Sequence, residues 1–426
     1  EKSIKLLILK FNINNDKIFL FTRLIGYNLK YDEDLAFKLP ADKGFDFINL
    51  NDKILSLFES YLPVYSCPKA LKQKLREAIL EANPFLIPFS EGLGISSISL
   101  PQAPHNIELC FNRSKNLNPS VFILGFGSYI YEYVLRHFKN SIVAGLDYKS
   151  DIITNYARFR FPIFNSFDEV LKVISSVNEP LVIIATYHSD HAWMAKEVLN
   201  LNPTAKVFIE KPACVTLQDA DLLVALRNKG YWIDIGYNRR YAYLTRVVKS
   251  YVDQVNEPVL ITCLVKELKI PETHWYLWPN QGTRIFGNLV HWIDLVRFFL
   301  GKKQLKKVYT TGKGDESISI ILTFEDGSIV TIVSTDKGDD LGGVEEYIEL
   351  RYSKTTLKLY DYKKLKIYMD GNHKSLNFFY RDKGHQNMYK TLKQRVRKKL
   401  PPMYPAEDIY WVTNIADEIL KMLNKL

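Results

Sequence analysis

Cysteine is scarce in this sequence, and its copies lie far apart. Four occur in 426 residues, without paired spacing, at Cys67, Cys110, Cys214 and Cys263. This spacing argues against a disulfide framework and a zinc site, and it predicts reduced thiols in a cytoplasmic protein.

Long apolar runs are missing too. The longest stay well short of the ~18 residues that span a bilayer. The chain does not open with a charged-then-apolar signal segment. We therefore expect no membrane association. The sequence also has no internal repeat and no low-complexity tract.

Negative charge is outnumbered, and the formal net charge is +10. Such an excess suits nucleic acid, a membrane surface or an anionic small substrate, and it is equally consistent with a solvated basic surface. The densest basic runs, 302–307 and 393–399, lack the interleaved aromatic residues of a nucleic-acid platform. We do not expect nucleic-acid binding.

The composition is that of an ordinary globular protein, 47% apolar and 24% charged, and the length suits two or three domains. Residues 1–115 are predicted to form an N-terminal α+β extension with no chemical motif. The stretch 84–106 is rich in Pro, Gly and Ser and indicates a linker.

Residues 116–240 alternate between apolar strands and helices. Strands that are apolar throughout indicate a parallel sheet covered by helices on both faces. The pattern predicts an α/β, Rossmann-type doubly wound domain. Its ligand crevice would lie at the carboxyl ends of the strands.

Residues 241–426 predict an α+β domain with an open antiparallel sheet, for substrate binding and oligomerisation. A helix ends at Gly301, and a later Glu-Asp-Gly turn predicts a hairpin. Helices are predicted over 386–400 and 406–426. These final helices are placed to pack back on the Rossmann-type domain.

A glycine turn follows the first strand of that domain. Gly125 and Gly127 separate an apolar strand from a helix, where backbone N–H groups can approach a pyrophosphate. Ile130 fills a third position that is usually small, and the alternative is a plain turn without a ligand. Asp147 ends the next strand, where an acid accepts a ribose 2′-hydroxyl and repels a 2′-phosphate, so NAD is favoured over NADP.

Two further strand ends carry polar side chains. His188 and His191 lie at i and i+3, but no third metal ligand is evident, so we expect roles beside the cofactor and no metal. Lys211 ends the following strand, and the bond before Pro212 is a candidate for the cis form. A lysine there can hydrogen-bond a hydroxyl that is being oxidised. The alternative is an exposed ion pair with Glu210.

One predicted helix places Asn288, His291 and Asp294 on the same face. His291 has a reference pKa near neutrality, as proton transfer alongside hydride chemistry requires. A single helical histidine is more often a core residue. The nearby Arg284 and His274 favour a functional role.

Together these segments resemble the Gfo/Idh/MocA family, which includes glucose–fructose oxidoreductase and inositol dehydrogenase. The resemblance covers about 120–426 and rests on the glycine turn, ATYHSDHA, IEKPA, GYNRR and the asparagine–histidine helix. It is strongest toward the oxidoreductase half of two-domain bacterial dehydrogenases of polysaccharide biosynthesis. Residues 1–115 show no alcohol dehydrogenase motif.

The resemblance implies a role for each matching residue. Catalysis falls on Lys211, on His291 as general acid/base, and on Asn288. Cofactor contacts are implied at the strand ends, namely at Gly125, Gly127, Ser128, Tyr129, Asp147, Tyr148, Thr186, His188, His191, Glu210 and Lys211. Substrate contacts are implied for Tyr237, Arg239, His274, Trp275, Arg284 and Asp294. The segment 281–284 is less glycine-rich than the GGGR of relatives.

The leading hypothesis is an NAD(H)-dependent oxidoreductase. It would transfer hydride between nicotinamide and a secondary hydroxyl or ketone of a sugar or nucleotide sugar, in surface-polysaccharide biosynthesis. The alternative is a catalytically inactive family member that serves as a binding or assembly module. Pairing through the C-terminal sheet predicts a homo-oligomer.

Overall fold

The computed structural model describes residues 117–147, 161–271, 274–278, 280–313 and 316–423, together with Cys110 and Ser114. The predicted linker and the rest of the N-terminal extension lie outside the described residues. So does Tyr148, one of the predicted cofactor contacts.

The first sheet has six parallel strands in the order β3-β2-β1-β4-β5-β6. These strands are β1 (Val121–Leu124), β2 (Ile142–Leu146), β3 (Ile163–Phe164), β4 (Leu181–Ile184), β5 (Lys206–Glu210) and β6 (Trp232–Gly236). The side chains of β1, β2, β4 and β5 are buried throughout. The strand order reverses between β1 and β4, so a crevice is expected at their carboxyl ends. The predicted Rossmann-type sheet is confirmed.

Among the described residues, four helices accompany this sheet, namely α1 (Leu135–Phe138), α2 (Phe167–Ser175), α3 (His191–Leu201) and α4 (Leu217–Asn228). A π turn, Ile130–Val134, leads into α1. Ile130 is buried there in a cluster with Val121 and Ile123. A π turn closes its hydrogen bond one residue later than an α-turn and is therefore wider. The large side chain at the third position of the glycine turn thus packs against the sheet.

The second sheet has eight strands in the order β14-β13-β12-β11-β7-β10-β9-β8. They are β7 (Leu260–Lys266), β8 (Leu305–Lys313), β9 (Ser317–Phe324), β10 (Ile329–Thr335), β11 (Glu345–Tyr352), β12 (Thr355–Tyr360), β13 (Lys364–Met369) and β14 (Asn372–Asn377). Most neighbours are antiparallel, but β7 and β10 run parallel. The predicted antiparallel sheet is therefore a mixed one. Burial alternates along β7, β9 and β10, so one face packs and the other is open.

The remaining helices in the described part of the chain are α5 (Tyr243–Val252), α6 (Val290–Leu300), α7 (His385–Arg397) and α8 (Ala406–Leu423). A second π turn, Ile285–Leu289, leads into α6 and overlaps the start of the predicted helix. The sequence patterns do not identify α5, β8 or β14, and these two strands are largely exposed at the two edges of the sheet. None of the described helices is long and apolar enough to cross a membrane.

The end of the chain returns to the first sheet. Met388, Tyr389, Leu392 and Val396 of α7 join the buried cluster that contains Ile123 of β1. Helix α8 packs against both α4 and α6. The C-terminal helices therefore complete two buried hydrophobic clusters, one through α7 and the other through α8.

A buried ion cluster fixes this return. The Arg240 guanidinium donates to Asp294 of α6 at 2.6 Å and to Asp408 of α8 at 2.9 Å. Arg297 of α6 donates to the other oxygen of Asp408 at 2.6 Å. Tyr404 donates to Asp294 at 2.8 Å. The cluster joins the residues after β6 to both helices.

Candidate functional site

The glycine turn at the end of β1 fits a close approach by a ligand. Gly125 has φ +94°, and a Cβ there would lie 2.5 Å from the Ala185 carbonyl oxygen. Only glycine suits that conformation and that contact. A Cβ on Gly127 would meet no atom within 4 Å. The backbone at Gly127 and the exposed Ser128 therefore face open space.

Asp147 follows β2 directly beside this turn. Its carboxylate accepts a hydrogen bond from the Phe126 backbone N–H at 2.8 Å. This bond ties the acid to the loop between the two glycines. A bare glycine turn with an adjacent strand-end acid matches the needs of a dinucleotide, namely backbone contact for pyrophosphate and a carboxylate for ribose. The residues present therefore fit NAD.

The loop after β4 is held by its two histidines. His188 Nδ1 lies 3.2 Å from the Gln281 carbonyl oxygen, and His191 Nδ1 lies 2.7 Å from that of Pro212. Burial lowers the pKa of His191 to about 4, so the ring is neutral at pH 7. Thr186 is half-buried, and its carbonyl oxygen lies 3.3 Å from His191 Nε2. The described residues contain no cluster of three or more metal-ligand side chains.

Lys211 extends from the end of β5 toward the π turn before α6. Its ammonium donates to the Gly287 carbonyl oxygen at 2.6 Å and to the Tyr276 hydroxyl at 3.5 Å. The Lys211–Pro212 peptide bond is cis. The lysine therefore connects the first sheet to the helix that carries His291.

Gly287 has a packing role that the sequence patterns do not identify. A Cβ there would lie 2.3 Å from the Tyr276 ring. Tyr276 belongs to a short 3-10 turn, Trp275–Leu277, whose Trp275 ring meets His188 at 4.5 Å. His274 begins this turn and accepts from the Tyr276 N–H at 3.2 Å. The aromatic turn thus covers the lysine and the β4 loop.

His291 lies one turn into the helix region beyond Gly287. Its Nδ1 is buried without a hydrogen-bond partner among the described residues. Burial, followed by the charges of Arg239 and Lys211, holds the pKa of His291 well below its usual value. The ring is therefore neutral at pH 7 and has a nitrogen free to contact a ligand.

Asn288 is paired with a residue absent from the sequence prediction. Its side-chain amide donates to the carboxylate of Glu267, which is buried directly after β7. The contact joins residues far apart in sequence, so no local pattern could reveal it. Burial raises the pKa of Glu267.

Glu210 is held by a hydrogen-bonded chain of tyrosines. Tyr389 of α7 donates to the Glu210 carboxylate, and its hydroxyl lies 3.0 Å from that of Tyr129 beside the glycine turn. Burial raises the pKa of Glu210 to about 7. Glu210 is only 4% exposed and is bonded to Tyr389, so it does not form the exposed ion pair that was the alternative. Tyr389 lies in the closing segment that contributes to the resemblance, but its contact depends on tertiary structure.

Three predicted substrate contacts are already occupied within the protein. Arg239 forms a bidentate pair with Glu346 at 2.9 and 2.8 Å. Arg284 donates to the Leu268 carbonyl oxygen at 2.6 Å. Asp294 is fully buried in the ion cluster rather than at a crevice. These three residues therefore stabilise the elements around the site through contacts within the protein.

Tyr237 lies between the ion cluster and His291. Its ring stacks on Tyr404 with centroids 5.4 Å apart and meets the His291 ring edge-on at 6.4 Å. It is buried, and burial raises the pKa of its hydroxyl well above the usual value. Tyr237 therefore packs against His291 as an uncharged ring.

The arrangement can bind a hydroxylated molecule and move one proton. Lys211 supplies positive charge, and His291 supplies a neutral nitrogen that can accept a proton. The glycine turn lies at the carboxyl end of β1 in the same sheet that positions Lys211. Strand ends of one parallel sheet meet along one edge.

A protein-family model matches part of the chain. It is described as an oxidoreductase family with an NAD-binding Rossmann fold, and it matches residues 121–231. The uncharacterized oxidoreductase YrbE of Bacillus subtilis is 25% identical over 165 residues, covering 35% of this chain and 47% of YrbE. Inositol 2-dehydrogenase of Salmonella typhimurium is 25% identical over 197 residues, covering 44% and 53%. The chain thus spans about half the length of these curated relatives.

Solved structures share the fold over a longer stretch. GenD2 from gentamicin A biosynthesis, solved in complex with NAD, has a TM-score of 0.61 at 16% identity and covers 72% of this chain and 95% of its own. UDP-N-acetylglucosamine 3-dehydrogenase GnnA from Acidithiobacillus ferrooxidans has a TM-score of 0.58 at 14% identity, with 71% and 96% covered. At these identities the likeness is one of fold.

Proposed function

We propose that this chain is an oxidoreductase of the Gfo/Idh/MocA family and that it oxidises or reduces a sugar or nucleotide sugar with NAD(H). The reacting group would be a secondary hydroxyl or the corresponding ketone. The observation that carries the proposal is the unpartnered Nδ1 of His291, on the helix region that Lys211 contacts. A half-buried neutral histidine whose charge state is influenced by a lysine is suited to proton transfer from an alcohol.

Each residue has a separate task in this proposal. His291 accepts the hydroxyl proton at Nδ1. Lys211, oriented by the Gly287 carbonyl oxygen, donates a hydrogen bond to the reacting oxygen and stabilises its negative charge. Gly125, Gly127 and Asp147 hold the cofactor. The chemistry that NAD supplies when bound is acceptance of the hydride.

The proposed substrate class is based on the names of two similar proteins. One acts on inositol and another on UDP-N-acetylglucosamine, by their names. The net charge of +10 suits an anionic nucleotide sugar. A place in surface-polysaccharide biosynthesis and a cytoplasmic location belong to the same proposal. So does a homo-oligomer, since the open face of the second sheet exposes Leu260, Leu264 and Ile329.

The test compares the wild type with Lys211→Ala. We expect calorimetry to detect NAD binding by both proteins, with similar affinity. Turnover of myo-inositol or UDP-N-acetylglucosamine, followed as NADH absorbance, should fall by about 10²–10⁴-fold in the variant, the usual contribution of a positioned proton-transfer group. Lys229→Ala, at an exposed site after α4, is the matched control and should be unchanged.

Two results would contradict the proposal in different ways. Absence of NAD binding by the wild type would remove the cofactor assignment. NAD binding without turnover of any sugar or nucleotide sugar would favour the binding or assembly module instead.

A further inference from the structure

Glu267 is a buried carboxylate with one oxygen unused. The residue follows β7, the strand at the centre of the second sheet, and is 3% exposed. One carboxylate oxygen accepts from the Asn288 amide. The other, Oε1, is buried without a hydrogen-bond partner among the described residues.

The neighbouring cations do not satisfy that oxygen. Arg284 and Arg239 are close enough to attract the Glu267 charge. Arg284, however, donates to the Leu268 carbonyl oxygen at 2.6 Å, and Arg239 is bound bidentately by Glu346. An unsatisfied buried acceptor costs stability. Such a group in a folded protein calls for an explanation, and a ligand is one.

The unused oxygen lies next to the proposed catalytic groups. Glu267 binds Asn288, and residues three apart on a helical stretch are neighbours, so His291 is adjacent to that amide. Lys211 donates to the carbonyl oxygen of Gly287, the residue before Asn288. Glu267 Oε1, on the carboxylate that binds Asn288, and His291 Nδ1, three residues after Asn288, are both buried without partners among the described residues.

We propose that Glu267 binds substrate, accepting a hydrogen bond from a second hydroxyl beside the carbon that reacts at His291. The inference rests on the proposed function and narrows its substrate class. The substrate would be a polyhydroxylated ring with a free hydroxyl next to the reacting carbon. Rings that are deoxygenated or alkylated at that position would be poor substrates, because they leave the carboxylate unpaired.

A stability measurement tests the inference without substrate. Glu267→Gln keeps a carbonyl oxygen for Asn288 and removes the unpaired charge. We expect the melting temperature of the cofactor-free protein to rise by about 2–4 °C. A structural ion pair with Arg284 or Arg239 would give the opposite result, so a lower melting temperature would overturn the inference. Glu325→Gln, exposed in the β9–β10 turn, is the control and should not shift.

A kinetic measurement tests it with substrate. The probes are myo-inositol and UDP-N-acetylglucosamine, each with an analogue lacking the hydroxyl next to its reacting carbon. Glu267→Gln should lower kcat/KM for the hydroxylated probe by about 10–150-fold, the usual value of a hydrogen bond to a charged group. It should change kcat/KM for the deoxy analogue by less than about threefold. Equal losses of kcat/KM for the hydroxylated probe and for its deoxy analogue would overturn the inference.

The two proposals fail separately. A wild type that binds no NAD or turns over neither probe counts against the proposed function. The melting temperatures of the wild type and Glu267→Gln would still decide the role of Glu267.

Discussion

His291 is neutral because of where it lies. Burial comes first among the causes of its low pKa, and the charges of Arg239, Lys211, His385 and Lys383 add to it. Each disfavours an added proton on the ring. A histidine kept in this state is a ready proton acceptor, which favours alcohol oxidation as the direction it assists.

The low pKa of His291 predicts the pH dependence of oxidation. The base form is lost only as pH falls through the lowered pKa, so kcat/KM should show no loss from His291 between pH 8 and about 6.5, the ordinary histidine value. His291→Gln should lower kcat/KM by about 10²–10⁴-fold at every pH in this range. Rates measured from pH 5 to 9 provide the check.

Glu210 can also contribute to that pH profile, so its effect must be separated from that of His291. Its pKa is about 7, so a limb there that persists in His291→Gln belongs to another group such as Glu210. A limb near pH 6.5 that disappears in His291→Gln would contradict the low pKa of the histidine.

At the scale of single residues, strand ends were the informative positions. Lys211 and Asp147 could be predicted because each ends an apolar strand of a parallel sheet. Glu267 and Tyr389 could not, since their partners Asn288 and Glu210 lie 21 and 179 residues away. Contacts at such separations depend on the packing of whole elements.

The two helices beside the candidate site, α1 and α6, follow π turns. Ile130–Val134 leads into α1 and Ile285–Leu289 leads into α6. The first accommodates a large residue at the glycine turn, and the second presents the Gly287 carbonyl oxygen to Lys211. Hydrophobic spacing predicted continuous helices here, because a single wide turn barely alters the pattern of apolar residues.

Helix α7 contributes to the site through Tyr389. Burial raises the pKa of Glu210 from 4.5 to about 7, so its protonation stabilises the fold fully below 4.5, and that stability is lost as pH rises through 7. The Tyr389 hydroxyl limits the loss by donating to the carboxylate. Tyr389→Phe should therefore destabilise by about 1.5–3 kcal/mol at pH 8 and by about 1 kcal/mol at pH 5.

Urea unfolding at the two pH values measures this difference. In a Glu210→Gln background the group no longer titrates, so adding Tyr389→Phe should cost the same at both pH values. A cost for Tyr389→Phe alone that does not depend on pH would show that the carboxylate is not its partner.

The ion cluster around Asp408 joins the segment after β6 to helices α6 and α8. This carboxylate receives both Arg240 and Arg297, and all three side chains are buried. Asp408→Asn leaves two buried cations under-compensated. We expect a loss of about 3–5 kcal/mol of unfolding free energy, as for other broken buried pairs.

The adjacent residue supplies the control. Glu407 pairs with Lys302 at 3.1 Å, and both side chains are largely exposed. Glu407→Gln should therefore cost less than about 1 kcal/mol. Denaturant unfolding of both variants measures the two costs. Similar small losses would contradict the central role of the cluster.

The overall architecture was largely predictable, and its exceptions have physical causes. Apolar strands alternating with helices indicated the parallel sheet, and strand segments joined by a Glu-Asp-Gly turn indicated the open one. The parallel pairing of β7 with β10 was not predictable, because the two strands are separated by α6 and a hairpin. Edge strand β8 was missed because few of its side chains are buried.

The return of α7 and α8 has a consequence for the order in which the protein is made. The strands β1 and β2 leave the ribosome before α7, so the cluster around Ile123 lacks Tyr389 and Val396 until α7 has followed. Helix α4 likewise waits for α8. Many domains fold as units while synthesis continues. Here the first sheet can complete its core only after α7 and α8 have been synthesised.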